Sequence, residues 1–244
     1  MKTPCLFRLI PRCDPKVLES LREFSVAELQ DALDPEWRPL ALMSPAMKPT
    51  TPDVSILGLA VTAFCPPGDN LMMHCGLHVT KPGDVLVVSN GGVPNGALWG
   101  DNAAMYAAKK GVAGVVIDGP SRDTDALRRL RFPIWSTSIS VSTPAKAKLG
   151  SVNMPIQCDG IVVYPGDIIV ADGDGVIALR PSLVGPVVER ARARAEKDAA
   201  LQSAIAAGLS IFEFAKMDLV LKELDAEFKG ETWVDAANAP GGKQ

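Results

Sequence analysis

The chain is poor in the residues and patterns that mark several large protein classes. It has five cysteines, Cys5, Cys13, Cys65, Cys75 and Cys158, an odd number with no C-x-x-C pair. That pattern fits reduced thiols in a cytoplasm better than a disulfide framework. No run of roughly eighteen uncharged apolar residues occurs, so no membrane span is expected. The opening MKTPCLFRLIPRCDP is too short in its apolar part, and too broken by proline and charge, for a secretory signal. There is no basic run and no interleaving of basic with aromatic residues, and the net charge is -3 with a pI near 5.5. Nucleic acid is therefore not an expected partner. Neither the dinucleotide fingerprint G-x-G-x-x-G nor a phosphate loop is present. The two histidines, His74 and His78, lie one helical turn apart with Cys75 between them. Zinc needs at least a third protein ligand, and none is evident nearby, so a packed or hydrogen-bonded His is the expectation. Asp172-Gly173-Asp174-Gly175 lacks the Glu that closes a calcium loop and reads as a hairpin turn between strands Ile168 to Ala171 and Val176 to Leu179.

What remains is a chain of 244 residues, 47% hydrophobic and 22% charged, enough for one large domain or a domain with appendages. Asp14 to Leu33 has helical spacing, and Ser25 followed by Glu28 is a capping-box signature, which predicts two helices broken near Phe24. Arg38 to Asp53, with Pro39, Pro45, Pro49 and Pro52, reads as a wandering loop. Ile56 to Phe64 is an expected strand, Pro66 to Asn70 a turn, and Leu71 to Val79 a short helix. Past Asp123, a helical turn over Thr124 to Arg131 should lead to a strand at Phe132 to Ser136, and Ile156 to Val163 adds a further strand. Pro186 to Phe228 reads as helical, broken at Gly208, with Glu189 available to Arg192 or Arg194 for surface pairing. This tail is expected to pack on a neighbouring subunit, and Gly230 to Gln244 to form a flexible end or arm. The expected divisions are an N-terminal extension over 1–50, a catalytic domain over 51–182 and a C-terminal extension over 183–244.

The chemistry concentrates between Asp84 and Asp123. Val85 to Val88 and Val115 to Ile117 are short, β-branched runs bounded by Gly and Asp, which suits strands buried on both faces. Between them Asp101 stands where a helix should begin, followed by good helix formers that Gly111 ends. Strand, helix and returning strand form a right-handed crossover whose strands share a direction. Ligands in open α/β sheets bind beyond the carboxyl ends of such strands. Asp101, Arg122 and Asp123 all fall there, with the N–H groups of Asn102 and Ala103 at the helix start. Those amides attract an anion, Arg122 can grip a carboxylate or keto oxygen, and Asp123 can hold a hard cation. A duller reading of each is available: Asp101 as an N-cap, and Arg122 with Asp123 as a solvated ion pair.

An Asp followed, one helix and one strand later, by Arg-Asp, with Gly-Asp before the helix and Val-Val-Ile-Asp-Gly before the Arg, resembles the class II pyruvate aldolases of the 4-hydroxy-4-methyl-2-oxoglutarate / 4-carboxy-4-hydroxy-2-oxoadipate aldolase family. That family is homologous to the protein regulator of ribonuclease E activity A. The similarity extends to PPGDNLMMH (Pro66 to His74), KPGDVLVV (Lys81 to Val88), FPIWS (Phe132 to Ser136), LGSVNMPIQC (Leu149 to Cys158) and PGDIIVADGDGV (Pro165 to Val176).

The resemblance implies a fold and a reaction. The fold is α/β, a swivelling β/β/α domain with helical extensions at both ends, assembled as a trimer or a dimer of trimers with sites between subunits. Asp123 matches the ligand of a divalent cation, usually magnesium, with manganese and cobalt as alternatives. Arg122 matches the group that binds the 2-keto acid and stabilises the pyruvate enolate. Asp101 matches the residue that orients a metal-bound water, and Gly100, Asn102 and Ala103 match the backbone cradle of the substrate carboxylate. The implied activity is retro-aldol cleavage of a 4-hydroxy-2-oxo di- or tricarboxylic acid in aromatic catabolism, with oxaloacetate decarboxylation on the side. The family also looks to a Gly-Glu near the C-terminus, donated by the adjacent subunit. Here the matching pair is Gly208-Leu209, with Glu213 the nearest later acid, which leaves open a different lyase or decarboxylase of oxo acids. The rival from another class is a non-catalytic trimer that caps a ribonuclease.

Overall fold

The computed structural model describes residues 6–230 and 232–234. The expected flexible end over Gly230 to Gln244 thus falls mostly outside the described residues, and Cys5 lies outside them too. The other four cysteines are unpaired, and no described helix is long and apolar enough to cross a membrane. The chain divides into two compact units, Met1–Arg192 and Ala193–Gln244.

In the first unit, Asp14 caps α1 (Pro15–Glu19), and the Ser25/Glu28 capping box opens α2 (Val26–Ala32). The two helices break between Ser20 and Ser25, around the expected Phe24. The proline-rich stretch is less irregular than expected: Pro39 takes an early position in the short helix α3 (Arg38–Ala41), where its missing N–H is no loss. Strand β1 (Lys48–Pro49) then pairs along an edge, as Pro permits. β2 (Ile56–Phe64) and α4 (Leu71–Val79) fall where the sequence put them. Next come β3 (Val85–Ser89), α5 (Asp101–Lys110), β4 (Gly114–Ser121), α6 (Thr124–Leu130) and β5 (Ile134–Ile139). Gly111, left-handed at φ 78°, closes α5. The unit continues through β6 (Ser151–Val152), β7 (Ile156–Cys158), β8 (Ile161–Val163), β9 (Ile168–Ala171) and β10 (Val176–Leu179) into α7 (Val184–Ala206). The expected strand over Ile156 to Val163 is a tight hairpin of two, and Asp172 to Gly175 is the turn between β9 and β10, with Asp172 N–H donating to Gly175 O at 3.1 Å.

β2, β3, β4 and β5 run parallel, and β9 joins β2 antiparallel, giving the order β1-β5-β4-β3-β2-β9-β10. Alternate residues serve two cores. Leu59, Val61, Ala63, Leu86, Val88, Val115 and Ile117 face one, packed by Met73, Leu77, Ala104, Ala107 and Leu127 from α4, α5 and α6. Ala60, Val85, Val87 and Val116 face the other, under Met43, Met47 and the β7–β8 hairpin. Each fully buried aliphatic side chain contributes about 1.5–3 kcal/mol, which is why these strands read as continuous apolar runs. Arg12 ties the N-terminal segment to the start of β3 by a two-pronged pair with buried Asp84, at 2.8 and 2.9 Å. On the surface, Arg192 pairs with Glu23 at 2.8 Å rather than with Glu189.

The second unit holds the end of α7, then α8 (Ile211–Phe214) and α9 (Met217–Glu223). Gly208, at φ 93°, makes the expected break, and a second follows at Lys216, φ 50°, so helix does not run on to Phe228.

Candidate active site

The two halves of the Asp101 and Arg122-Asp123 pattern meet because the end of β4 is bent. Its register with β5 shifts between Ile117 and Pro120, a bulge of the kind that re-aims a strand end. Beyond the shift, Leu98 N–H donates to Pro120 O at 2.8 Å, and Arg122 N–H to Trp99 O at 3.0 Å. Those bonds lay the residues entering α5 alongside those leaving β4. Gly100, Asp101, Asn102, Ala103, Arg122 and Asp123 all line one cavity of about 200 Å³ at the carboxyl ends of the parallel strands.

The local geometry is close. Arg122 Nε stands 3.4 Å from Asp123 Oδ2, with both side chains a little over one-third exposed, so as a bare ion pair the contact contributes little to stability. Asp123 sits in the left-handed region at φ 60°, where Asp is tolerated better than most residues. Its Oδ2 also receives the Asp101 N–H at a long 3.3 Å. Gly100 holds the N-cap position, so Asp101 is the first helical residue and not the cap. The Asp101 carboxylate turns back to accept the Asn102 N–H at 2.6 Å. Of the amides expected to hold an anion, that of Asn102 is therefore engaged by the chain's own carboxylate, and Ala103, in the first turn where N–H groups lack intrahelical partners, also lines the cavity.

A second wall faces this one. Asp69 is fully buried and accepts three backbone N–H groups, from Leu71 at 2.9 Å, Ala147 at 2.6 Å and Lys148 at 3.0 Å. Burial pushes its carboxyl up, but those bonds outweigh burial and hold it below the usual carboxylate range. They also fasten the loop carrying Thr143, Pro144 and Lys146 beside the start of α4, so that Asn70, Met73 and His74 line the cavity with Lys146. Burial first, then the Lys146 charge, lower the His74 pKa. The sequence predicts a packed or hydrogen-bonded His74, whereas its Nε2 is buried without a partner beside the cavity, and it does not single out Asp69, Asn70 or Lys146. Its one signal was Gly-Asp-Asn at the mouth of a short helix.

Among the described residues, no three His, Cys, Asp or Glu side chains gather as a metal cage. His74 and His78 have no third protein ligand beside them among the described residues. Asp123 offers a half-exposed carboxylate whose contacts are long, which fits a hard, oxygen-preferring cation that keeps its waters and takes one or two carboxylates. In the second unit, Glu213 has local partners. It completes a capping box with Ser210, accepting its N–H at 2.9 Å and its hydroxyl at 2.6 Å, and these bonds hold the carboxyl below its ordinary pKa.

Known proteins share this arrangement of elements. The protein called "Putative 4-hydroxy-4-methyl-2-oxoglutarate aldolase" of Halalkalibacterium halodurans is 33% identical over 177 residues, 72% of this chain and 82% of that protein. The 4-hydroxy-4-methyl-2-oxoglutarate aldolase of Thermus thermophilus is 37% identical over 111 residues, 46% of this chain and 68% of the relative. Among solved structures, Streptomyces coelicolor RraAS2, described as an unusual member of the RNase ES inhibitor RraA protein family, superposes with a TM-score of 0.71. It is 27% identical, covering 79% of this chain and 98% of that one. The family model for Aldolase/RraA, RraA-like, matches residues 26–178, a span that includes both walls of the cavity. The chain belongs to the RraA-like family of aldolases and RraA proteins.

Proposed function

We propose that the protein is a divalent-cation-dependent carbon–carbon lyase that cleaves a 4-hydroxy-2-oxo di- or tricarboxylic acid and releases pyruvate. The observation that carries this is the convergence of Arg122, Asp123 and Asp101 on one cavity beyond the parallel strand ends. The names of the two aldolase relatives support it. Arg122 receives the oxo-acid end, where its planar fork matches adjacent oxygens, and Ala103 N–H at the start of α5 faces the carboxylate. Asp101 holds the water that takes the proton from the substrate hydroxyl. The bond between C3 and C4 then breaks, its electrons passing to the C2 keto oxygen, which leaves a carbonyl at C4 and the enolate of pyruvate. Arg122 stabilises the charge that develops on that oxygen, and return of the proton to C3 completes pyruvate. A magnesium, manganese or cobalt ion held by Asp123 would supply Lewis acidity at the same oxygens. Loss of carbon dioxide from oxaloacetate generates the same enolate, so the protein should also decarboxylate it. We place the protein in the cytoplasm as a trimer or dimer of trimers, and sedimentation showing only monomer would remove that assembly.

The test is pyruvate release, read through NADH oxidation, from 4-hydroxy-4-methyl-2-oxoglutarate, 4-carboxy-4-hydroxy-2-oxoadipate and oxaloacetate, with magnesium and with chelator. Cleavage of a hydroxy-oxo acid, lost on chelation, is the expected result. Turnover of oxaloacetate alone would keep the enolate chemistry and move the substrate to another oxo acid. Silence with all three, together with retention of a ribonuclease by the immobilised protein, would replace the lyase with the regulator activity named for RraA relatives.

A further inference from the structure

The wall facing Arg122 and Asp123 carries groups that bond cleavage does not use. Asn70 is 6% exposed, yet its Oδ1 has no hydrogen-bond partner and its side chain does not cap α4. A buried amide left unpaired is costly, and with nothing to fix its orientation it can turn either its oxygen or its NH2 to the cavity. His74 Nε2 is likewise buried and unpartnered. Burial, helped by the neighbouring Lys146 charge, lowers its pKa and so favours the neutral imidazole, which has one N–H to donate. Lys146, on the loop that Asp69 fastens, makes no ion pair among the described residues. A cation, a neutral imidazole and an amide, none of them committed, converge on a cavity whose opposite wall suits the oxo-acid end of a substrate. Such a set matches an anion with several acceptor oxygens, since charge-assisted bonds to a carboxylate satisfy all three at once.

We propose that Asn70, His74 and Lys146 form the subsite for the far carboxylate of a 4-hydroxy-2-oxo diacid, so that this chain's own residues recognise the second acidic end. The inference rests on the lyase reading above. It gives the distal recognition to one chain, where Leu209 stands in the C-terminal pair and Glu213 is held by Ser210.

Two non-cleavable ligands separate the halves of the site: 2-oxoglutarate, and 2-oxopentanoate, which has a methyl in place of the far carboxylate. Calorimetry of the full-length protein with magnesium should show wild type preferring 2-oxoglutarate by at least about tenfold, and Lys146→Met reducing that preference below about threefold. Lys148→Met is the control: it removes the same charge from the same loop, but its ammonium is turned to Pro67 O at 3.1 Å, and the preference should persist. Equal binding of the two ligands by wild type overturns the subsite alone. So does a preference that survives Lys146→Met, or one lost as fully in Lys148→Met. Failure of 2-oxopentanoate, and of 2-oxoglutarate with it, to bind wild type overturns the lyase reading and the subsite together.

Discussion

Arg122→Lys should lower kcat/KM for pyruvate release by about a hundredfold to a thousandfold, the range found when one donor to a developing oxyanion is removed, and Arg122→Ala should fall to the same floor. The geometry explains why lysine does not rescue. Arg122 Nε is the atom turned to Asp123, at 3.4 Å, which leaves the two Nη ends of the fork for the substrate. A lysine ammonium is a single point of charge and cannot meet Asp123 and two substrate oxygens in one plane. The loss should not come from unfolding. The backbone of residue 122 stays bonded to Trp99 O through its own N–H, and the side chain is 39% exposed, so stability should change by about 0.5 kcal/mol or less. Steady-state kinetics beside a thermal melt of each variant decides the matter. Activity of Arg122→Ala within threefold of wild type, with an unchanged melt, would take Arg122 out of the reaction, and the same result for Arg122→Lys alone would show that charge suffices without the planar fork.

Asp101, Arg122 and Asp123 were legible in the sequence because they are local. Asp101 begins a helix, Arg122-Asp123 directly follows a strand, and the rules for βαβ units put both at one edge. β2 and α4 were legible for similar reasons, a β-branched run and a turn of Pro, Gly, Asp and Asn before a helix. The opposite wall was not. Lys146 lies far along the chain from Asn70, in a polar loop without periodicity, and reaches the cavity only because buried Asp69 bonds the amides of Ala147 and Lys148. No local pattern announces a carboxylate that collects backbone N–H groups from a distant segment. The short helix α3 was obscured by reading prolines only as breakers, although proline is well placed in a first turn. By contrast the Ser210 to Glu213 cap was written in the sequence as S-x-x-E, the same signature that identified Ser25 and Glu28. It was lost inside a longer helical run, and the consequence is chemical: Glu213, the acid nearest the expected C-terminal position, has its carboxylate occupied by its own helix start.

Adding one methyl group at Gly100 should test the site from the other side. The Gly100 backbone is extended, at φ -159° and ψ -173°, a conformation any residue adopts, so alanine brings no backbone strain. What it meets is steric: a Cβ there would lie 2.5 Å from Asp123 Oδ2 and 3.4 Å from Arg122 Nε. The obstructing atom is the tip of a partly exposed side chain, not packed backbone, and it can swing aside at little cost to the fold. In doing so it leaves the Asp101 N–H and carries the carboxylate away from the place where it would hold a cation. Gly100→Ala should therefore melt close to wild type and yet lose about a hundredfold in kcat/KM, the penalty for an ångström-scale misplacement of a group that orients the reaction. Its affinity for manganese, titrated by electron paramagnetic resonance, should weaken in parallel. Gly173→Ala is the matched control, because a Cβ there meets no atom within 4 Å, and it should be silent in both assays. If Gly100→Ala binds manganese and turns over substrate as wild type does, then the position of the Asp123 carboxylate seen here is not the one the chemistry needs. A variant that loses activity while keeping full manganese affinity would instead move the damage to Arg122, whose Nε is the next atom the new methyl meets.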